Sequence, residues 1–283
     1  MSVANGFNRV ESEAVSALRR CAANIWTAVV LMGRPVRGHA RLWPLAPREL
    51  AIAAGIAIAV FAVLMMTTDA AAIRAVRHVP EWIVSVFREI TDFGKSGWFL
   101  WPLGLLFVAL AALPQILASF SQRVLAAIMV RVGFLFAAIA VPSLFVTIVK
   151  RMIGRARPMV GGSLDPFLFS PFEGHAAYAG LPSGHATTAF AVLVAFGTLW
   201  PRARTALLIY ALLIVVSRVM VAAHYPSDVF AGALVGITGA VMVRRYFAQR
   251  GLGFAIQADG TIHQYPGPSL RRIKAVARGL LAP

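Results

Sequence analysis

Long runs of apolar residues with few charges dominate the 283-residue chain. A helix needs about 20 such residues to cross the hydrocarbon core of a bilayer, because each residue advances it by only about 1.5 Å. Six runs are predicted to be membrane-spanning helices: 50–68, 98–120, 124–149, 185–200, 205–222 and 229–243. The last run carries Gly232, Gly236 and Ala240 at four-residue spacing, which predicts a face against which a neighbouring helix packs closely.

Four other segments pattern as surface elements rather than as spans. Residues 8–32 repeat apolar side chains at helical spacing after a capping-box-like start, but their uncharged run is too short to span. We interpret them as an interfacial helix, with an N-terminal signal anchor as the alternative. Residues 80–94 and the basic residues 270–281 also predict amphipathic surface helices. Residues 254–265 alternate around Asp259-Gly260, which predicts a β-hairpin.

Composition agrees with an all-α, polytopic membrane bundle of six transmembrane helices with interfacial amphipathic helices. Hydrophobic residues make up 59% of the chain and charged residues 13%, which excludes an ordinary soluble domain with about 25% charged residues. The net charge of +16 indicates anionic membrane lipid, rather than nucleic acid, as the partner of the basic residues. The predicted organisation is a cytoplasmic amphipathic segment (1–49), a six-span domain (50–245) and a cytoplasmic hairpin with a basic tail (246–283).

The distribution of basic residues predicts the orientation of the spans. When the six runs are threaded alternately through a membrane, 18 of the 27 Lys and Arg residues fall on the face that holds both termini. The positive-inside rule therefore predicts cytoplasmic termini in a bacterial inner membrane, with the opposite face in the periplasm. The predicted outer face nevertheless carries a basic cluster of Lys150, Arg151, Arg155 and Arg157, and this exception requires another explanation.

Three polar clusters fall on the predicted outer face. They are Lys150 with Arg157-Pro158, then Pro182-Ser183-Gly184-His185, and finally Ser217-Arg218 with His224 and Asp228. Two membrane crossings separate the second cluster from the third, so the predicted topology returns the chain to the same side. The sequence therefore predicts that residues far apart in the chain share one site.

The residue types in these clusters suit a phosphate group. Lys150, Arg157 and Arg218 would supply positive charge and forked donors to phosphate oxygens. Ser183 stands at a predicted helix N-cap, and the free backbone N–H groups of Gly184 and the next residue would add an anion site. Such a set indicates a ligand with about two negative charges, such as a phosphate monoester or a diphosphate terminus.

The two histidines suggest how that phosphate would react. Asp228 follows His224 by four positions, so in a helical turn its carboxylate would orient the imidazole and leave the other ring nitrogen free to attack phosphorus. His185 would protonate the departing oxygen and then activate water. Positioning and charge stabilisation dominate phosphoryl transfer, so we predict that no metal or other cofactor is needed.

The three clusters resemble the three-part signature of the type 2 phosphatidic acid phosphatase and vanadium-haloperoxidase superfamily, in its bacterial integral-membrane lipid phosphatase branch. The matching patterns are Lys-x6-Arg-Pro, Pro-Ser-Gly-His and Ser-Arg-x5-His-x3-Asp, within residues 50–245. The resemblance implies a six-helix membrane fold and an outward-facing site. It also implies these roles: a phosphohistidine on His224, Asp228 as its partner, His185 as the acid, and Lys150, Arg157, Ser183, Gly184 and Arg218 around phosphate. Thr91-Asp92-Phe93-Gly94 also resembles bacterial members.

The leading hypothesis is a metal-independent phosphatase that acts on a membrane lipid at the outer leaflet. Candidate substrates are undecaprenyl diphosphate, phosphatidylglycerophosphate, phosphatidic acid and a lipid A phosphate. A lipid phosphotransferase with the same intermediate and a non-catalytic lipid-binding membrane protein are the alternatives, and a membrane-embedded site disfavours halide chemistry. Arg151 and Arg155 are predicted to contact the headgroup or anionic lipid.

Overall fold

The fold was obtained as a computed structural model, which describes residues 15–16, 18–19, 21–27, 29–30, 32–36, 45–113, 119–162 and 164–281. Its α-helices are α1 (Pro47–Val63), α2 (Asp69–Val76), α3 (Glu81–Asp92), α4 (Gly97–Ala112), α5 (Ser119–Ile153), α6 (Gly184–Leu199), α7 (Arg204–Met220), α8 (Pro226–Gln249) and α9 (Leu270–Leu281). A π-helical turn (Leu64–Thr68) joins α1 to α2, and 3₁₀ turns lie at Val160–Gly162, Ala176–Tyr178 and Pro201–Ala203. Residues 21–27 are also helical, whereas the predicted N-terminal cap at Asn8 and Glu11 lies outside the described residues.

Five helical segments among the described residues are long and apolar enough to cross a membrane: Pro47–Val76, Glu81–Ala112, Phe120–Ile153, Pro201–Met220 and Pro226–Gln249. They overlap five of the six predicted spans. The remaining predicted span, 185–200, is α6, an apolar helix of only 16 residues. It ends at Leu199, since Pro201 disfavours helical geometry at Trp200. The all-α membrane class predicted from the sequence is confirmed.

The second predicted span begins where α4 begins but extends beyond its end. The predicted amphipathic helix at 80–94 is α3, and α4 follows it after the turn at residues 93–96. By length and composition the two together form one candidate span, Glu81–Ala112. Helix α4 ends at Ala112 rather than at Phe120, because Pro114 lacks the N–H that the helix needs to continue.

The predicted β-hairpin is confirmed. Strands β1 (Phe254–Ile256) and β2 (Ile262–Gln264) pair antiparallel, with Phe254 opposite Gln264. Gly260 adopts a φ of 80° in the connecting turn, where glycine meets no steric penalty. The Phe254 ring packs edge-on against Phe134 at 4.9 Å, which anchors the hairpin to α5.

The chain divides into two compact units. One comprises Met1–Ala40, Trp101–Phe136 and Tyr246–Pro283, and includes the hairpin and α9. The other comprises Arg41–Leu100 and Ala137–Arg245, and it contains all three polar clusters of the sequence.

Helices α6 and α8 approach each other within the second unit through the small-residue face that the sequence predicted. A Cβ atom on Gly232 would lie 2.4 Å from the carbonyl oxygen of Ser183, and one on Gly236 would lie 2.4 Å from that of Thr187. The Thr187 hydroxyl donates a 3.0 Å hydrogen bond to the Gly232 carbonyl. This contact holds the start of α6 against α8, which carries Asp228 in its first turn.

A methyl group at Gly236 is expected to force α6 and α8 apart. Gly236→Ala should lower the free energy of unfolding by about 1–3 kcal/mol, the usual cost of overpacking, and should lower the thermal unfolding temperature in detergent. Gly55→Ala in α1 is the matched control, since no atom lies within 4 Å of its Cβ position. Equal unfolding temperatures for the two variants would contradict this account of the helix contact.

Candidate active site

Backbone hydrogen bonds tie the three polar clusters together. The Ser183 N–H donates to the carbonyl of Asp228 at 3.0 Å, which joins the second cluster to the third. The Gly180 N–H donates to the carbonyl of Arg155 at 2.9 Å, and the Arg157 N–H donates to the carbonyl of Ala177 at 2.8 Å. The connection between α5 and α6 is therefore anchored beside the start of α6, as the predicted topology requires.

His224 and Asp228 form the buried centre of the site. The chain turns between α7 and α8, and His224 is 3% exposed while Asp228 is fully buried. Imidazole Nδ1 lies 3.6 Å from carboxylate Oδ2, which also accepts a 3.0 Å hydrogen bond from the Tyr225 N–H. The Nδ1–Oδ2 distance is slightly long for a hydrogen bond, and such contacts commonly shorten when substrate binds. Because Asp228 faces Nδ1, Nε2 is the ring nitrogen left for chemistry.

Burial determines the charge state of His224. It lowers the pKa of the imidazole below the ordinary value of 6.5, because the charged form loses hydration. The nearby carboxylate of Asp228 acts in the opposite direction but has a smaller effect, and the charges of Arg218 and Arg157 lower the pKa further. The imidazole is therefore neutral near pH 7, which is the form that can act as a nucleophile.

The N-terminus of α6 forms an anion site. Ser183 occupies the N-cap position with extended backbone angles, but its side chain does not cap the helix. Its hydroxyl oxygen is buried and without a hydrogen-bond partner among the described residues. Apart from its chain neighbours and its own helix backbone, no atom of the described residues lies within 4 Å of the Cβ position of Gly184, so the first N–H groups of the helix can be approached closely. Unpaired backbone donors and the positive end of the helix dipole favour a phosphate at this position.

Two of the predicted cations interact with both histidines of the site. Electrostatic interactions connect Arg157 and Arg218 with both His185 and His224. The Nε atoms of both arginines are buried and without a partner among the described residues, so each has a donor available for a ligand. Lys150 is half-buried in the last turn of α5 and interacts electrostatically with Arg157. Among the predicted phosphate-binding residues, Arg157 is the one with which Lys150 interacts.

Helix α3 contributes to the site through the segment that resembled bacterial relatives only weakly. The Thr91 hydroxyl accepts a 2.7 Å hydrogen bond from Arg218 and so fixes the direction of its guanidinium. A Cβ atom on Gly94 would lie 2.8 Å from the His185 ring, so glycine leaves the space that the imidazole occupies. Thr91 and Gly94 are therefore supporting residues that the spacing of the three clusters did not reveal.

The prediction that Arg155 contacts a headgroup or anionic lipid is wrong. Its side chain is fully buried, and its guanidinium donates to Asp228 Oδ1 at 2.6 Å and to Asp69 Oδ2 at 2.7 Å. A long basic side chain next to a span normally extends to the membrane surface, but two buried carboxylates keep this one inside. Arg151 is exposed and donates to the carbonyl of Gly174 at 3.0 Å.

Asp69 is the residue that sequence reasoning missed. It begins α2 and is fully buried, and its Oδ1 accepts a 2.9 Å hydrogen bond from the backbone N–H of Ser227. The available signal was its position at the end of a long apolar run, where an ionisable residue is a functional candidate by default.

The assembled groups are suited to bind and attack a phosphate. The neutral imidazole of His224, the N-terminus of α6 and two arginines are linked by a backbone hydrogen bond and by electrostatic interactions. Among the described residues, no group of three or more His, Cys, Asp or Glu side chains is arranged to hold a metal ion. Groups of this kind can hold an anion beside a potential nucleophile.

The chain is similar to one protein family and to two bacterial phosphatases. Residues 131–252 match the model of the PAP2 superfamily. The chain is 38% identical over 172 residues to Lipid A 1-phosphatase of Rhizobium johnstonii, covering 60% of this chain and 70% of that protein. It is 37% identical over 182 residues to Lipid A 1-phosphatase of Rhizobium etli, covering 64% of this chain and 78% of that protein.

Among solved structures, the first transmembrane PAP2 type phosphatidylglycerolphosphate phosphatase from Bacillus subtilis is similar, with a TM-score of 0.47 and 20% identity. That comparison covers 66% of this chain and 92% of the Bacillus protein. The family match at residues 131–252 includes every residue of the three polar clusters. The match and the two relatives, each aligned over more than two thirds of its length, agree. The chain therefore belongs to the PAP2 superfamily.

Proposed function

We propose that the protein is a phosphatase that removes a phosphate from a membrane lipid through a phosphohistidine on His224. The observation that carries this proposal is the buried His224–Asp228 pair, which lies in the same site as the free N-terminus of α6 and two arginines with unpaired donors. A phosphate seated at this N-terminus would receive hydrogen bonds from backbone N–H groups and from the Ser183 hydroxyl. Lys150, Arg157 and Arg218 would balance its negative charge.

The reaction proceeds in two displacements. Nε2 of His224 forms a bond to phosphorus while the bond from phosphorus to the lipid oxygen breaks. His185, whose charged form the negative charge of the bound phosphate would stabilise, gives that oxygen a proton. His185 then removes a proton from water, whose oxygen attacks phosphorus as the bond to Nε2 breaks. Inorganic phosphate leaves and His224 returns to its neutral form. Asp228 stabilises the positive charge that the imidazole carries between the two steps.

Lipid A with a phosphate at its 1-position is the substrate we favour. Two relatives that are 38% and 37% identical to this chain carry the name Lipid A 1-phosphatase. The proposed site lies on the periplasmic face of a bacterial inner membrane, with both termini in the cytoplasm and residues 50–245 as the catalytic segment. The excess of basic residues on the opposite face supports this orientation.

A panel of lipid phosphates tests the proposal with the purified protein in detergent. We expect lipid A to lose one phosphate fastest, with equimolar release of inorganic phosphate, and undecaprenyl diphosphate, phosphatidylglycerophosphate and phosphatidic acid to react more slowly. Faster release from one of these three would contradict the substrate assignment. Transfer of phosphate to a hydroxyl acceptor without free phosphate would identify a phosphotransferase. No reaction with any lipid would overturn the proposed function.

A further inference from the structure

A second buried carboxylate, that of Asp69, is connected through Arg155 to Asp228, the partner of the proposed nucleophile. Arg155 bridges Asp228 and Asp69 through its two terminal nitrogens, at 2.6 Å and 2.7 Å, and all three side chains are fully buried. The Ser227 hydroxyl accepts a 2.7 Å hydrogen bond from Arg155 and donates to Asp69. The Arg155 Nε donates to the carbonyl of Pro166 at 3.0 Å. Arg155 is thereby fixed on all sides, and so is the carboxylate of Asp228.

The charge balance of this network favours a cation on His224. If Arg155 paired with Asp228 alone, the two charges would cancel and Asp228 would stabilise an imidazolium only weakly. Because Arg155 is shared with Asp69, the three buried side chains carry one net negative charge. Imidazole Nδ1 lies 3.6 Å from Asp228 Oδ2, so this excess charge lies next to the ring that becomes positive in the reaction.

We propose that Asp69 is a positioning residue for His224. Asp69 acts through Arg155, because it fixes the carboxylate of Asp228 and prevents Arg155 from cancelling the negative charge of that carboxylate. The inference rests on the proposed function, because it concerns the formation of the phosphohistidine. When Nε2 bonds to phosphorus, the ring keeps its proton on Nδ1 and becomes positively charged, and Asp228 balances that charge. Asp69 contacts neither substrate nor phosphorus, so its effect falls on the chemical step and not on substrate binding.

Asp69→Asn tests the inference because it removes one charge and keeps the side-chain shape. We expect kcat to fall by about tenfold to hundredfold, the range typical for the loss of a group that orients a metal-ligating side chain, with KM unchanged within about twofold. Phosphohistidine formation, measured in a single turnover with saturating enzyme in excess, should slow by the same factor. That rate constant does not depend on how much of the preparation is folded, so a purely structural role would leave it unchanged.

Two further variants complete the experiment. Glu81→Gln removes an exposed carboxylate that pairs with Arg88, and it should leave the single-turnover constant at the wild-type value. Ser227→Ala removes the hydroxyl between Arg155 and Asp69 and should slow the step by about twofold to tenfold. If Asp69→Asn does not fold, Ser227→Ala decides the matter.

An unchanged single-turnover constant in Asp69→Asn, or in Ser227→Ala where that variant decides, would overturn the inference and leave the proposed function intact. Wild-type protein that releases no phosphate from any lipid would overturn both.

Discussion

Replacing His224 with alanine is expected to abolish the release of inorganic phosphate from the lipid substrate. Nε2 of this imidazole is the proposed nucleophile that attacks phosphorus. Loss of a nucleophile that works with an acid and an orienting carboxylate lowers kcat by about 10⁴-fold or more. The substitution removes a nearly buried ring, so purified protein should be checked for an unchanged elution volume in detergent. Phosphate release at saturating lipid is the measurement.

His263→Ala is the matched control for this experiment, because His263 is an exposed histidine on strand β2. It should release phosphate at the wild-type rate. A folded His224→Ala protein that retained wild-type turnover would show that another residue attacks phosphorus, and the proposed division of roles between the two histidines would then be wrong.

Replacing Arg155 with methionine is expected to cause the largest loss of stability. The substitution keeps a long side chain but leaves Asp69 and Asp228 as two unpaired carboxylates in a fully buried position. Removing one partner of a buried ion pair costs about 3–5 kcal/mol, because the remaining charge keeps its desolvation penalty. Thermal unfolding of the purified protein in detergent, followed by intrinsic tryptophan fluorescence, measures the effect.

Arg151→Met provides the comparison, since Arg151 is exposed and makes one hydrogen bond to the Gly174 carbonyl. Its unfolding temperature should fall only slightly, in line with about 1 kcal/mol or less. If Arg155→Met unfolded at the same temperature as Arg151→Met, the pairing of Arg155 with Asp69 and Asp228 would not stabilise the fold.

The three polar clusters could be predicted from the sequence because their chemistry is encoded at short spacings. Asp228 follows His224 by about one helical turn, and Ser183 is the N-cap residue of α6. The return of the chain to the same face then followed from the number of apolar runs. Local spacing and hydropathy were therefore sufficient to propose the attacking and phosphate-binding groups.

The network behind Asp228 could not be predicted in this way. Asp69 and Arg155 lie 86 positions apart, and no periodicity or motif links the first span to the connection after α5. Seen locally, Arg155 is one of several basic residues at the end of a span, where such side chains normally reach the membrane surface. Only the packing of α2 and α8 around it reveals that its charge is used inside the protein.

Helix lengths were also predicted incompletely. Hydropathy placed the second span at 98–120, whereas α3 and α4 follow one another from Glu81 to Ala112. The polar residues of α3 made it look like a surface element, but Thr91 faces Arg218 in the site. A pattern of apolar residues therefore does not show that α3 contributes a residue to the site.

Trapping the covalent intermediate tests the central claim most directly. Wild-type protein is mixed with lipid A that carries radioactive phosphorus in its 1-phosphate, quenched in alkaline denaturant and digested. Label is expected on the peptide that contains His224, stable in alkali and lost in acid, as for a phosphohistidine. The His224→Ala protein should carry no label. Label on a different residue, or equal labelling of His224→Ala, would contradict it.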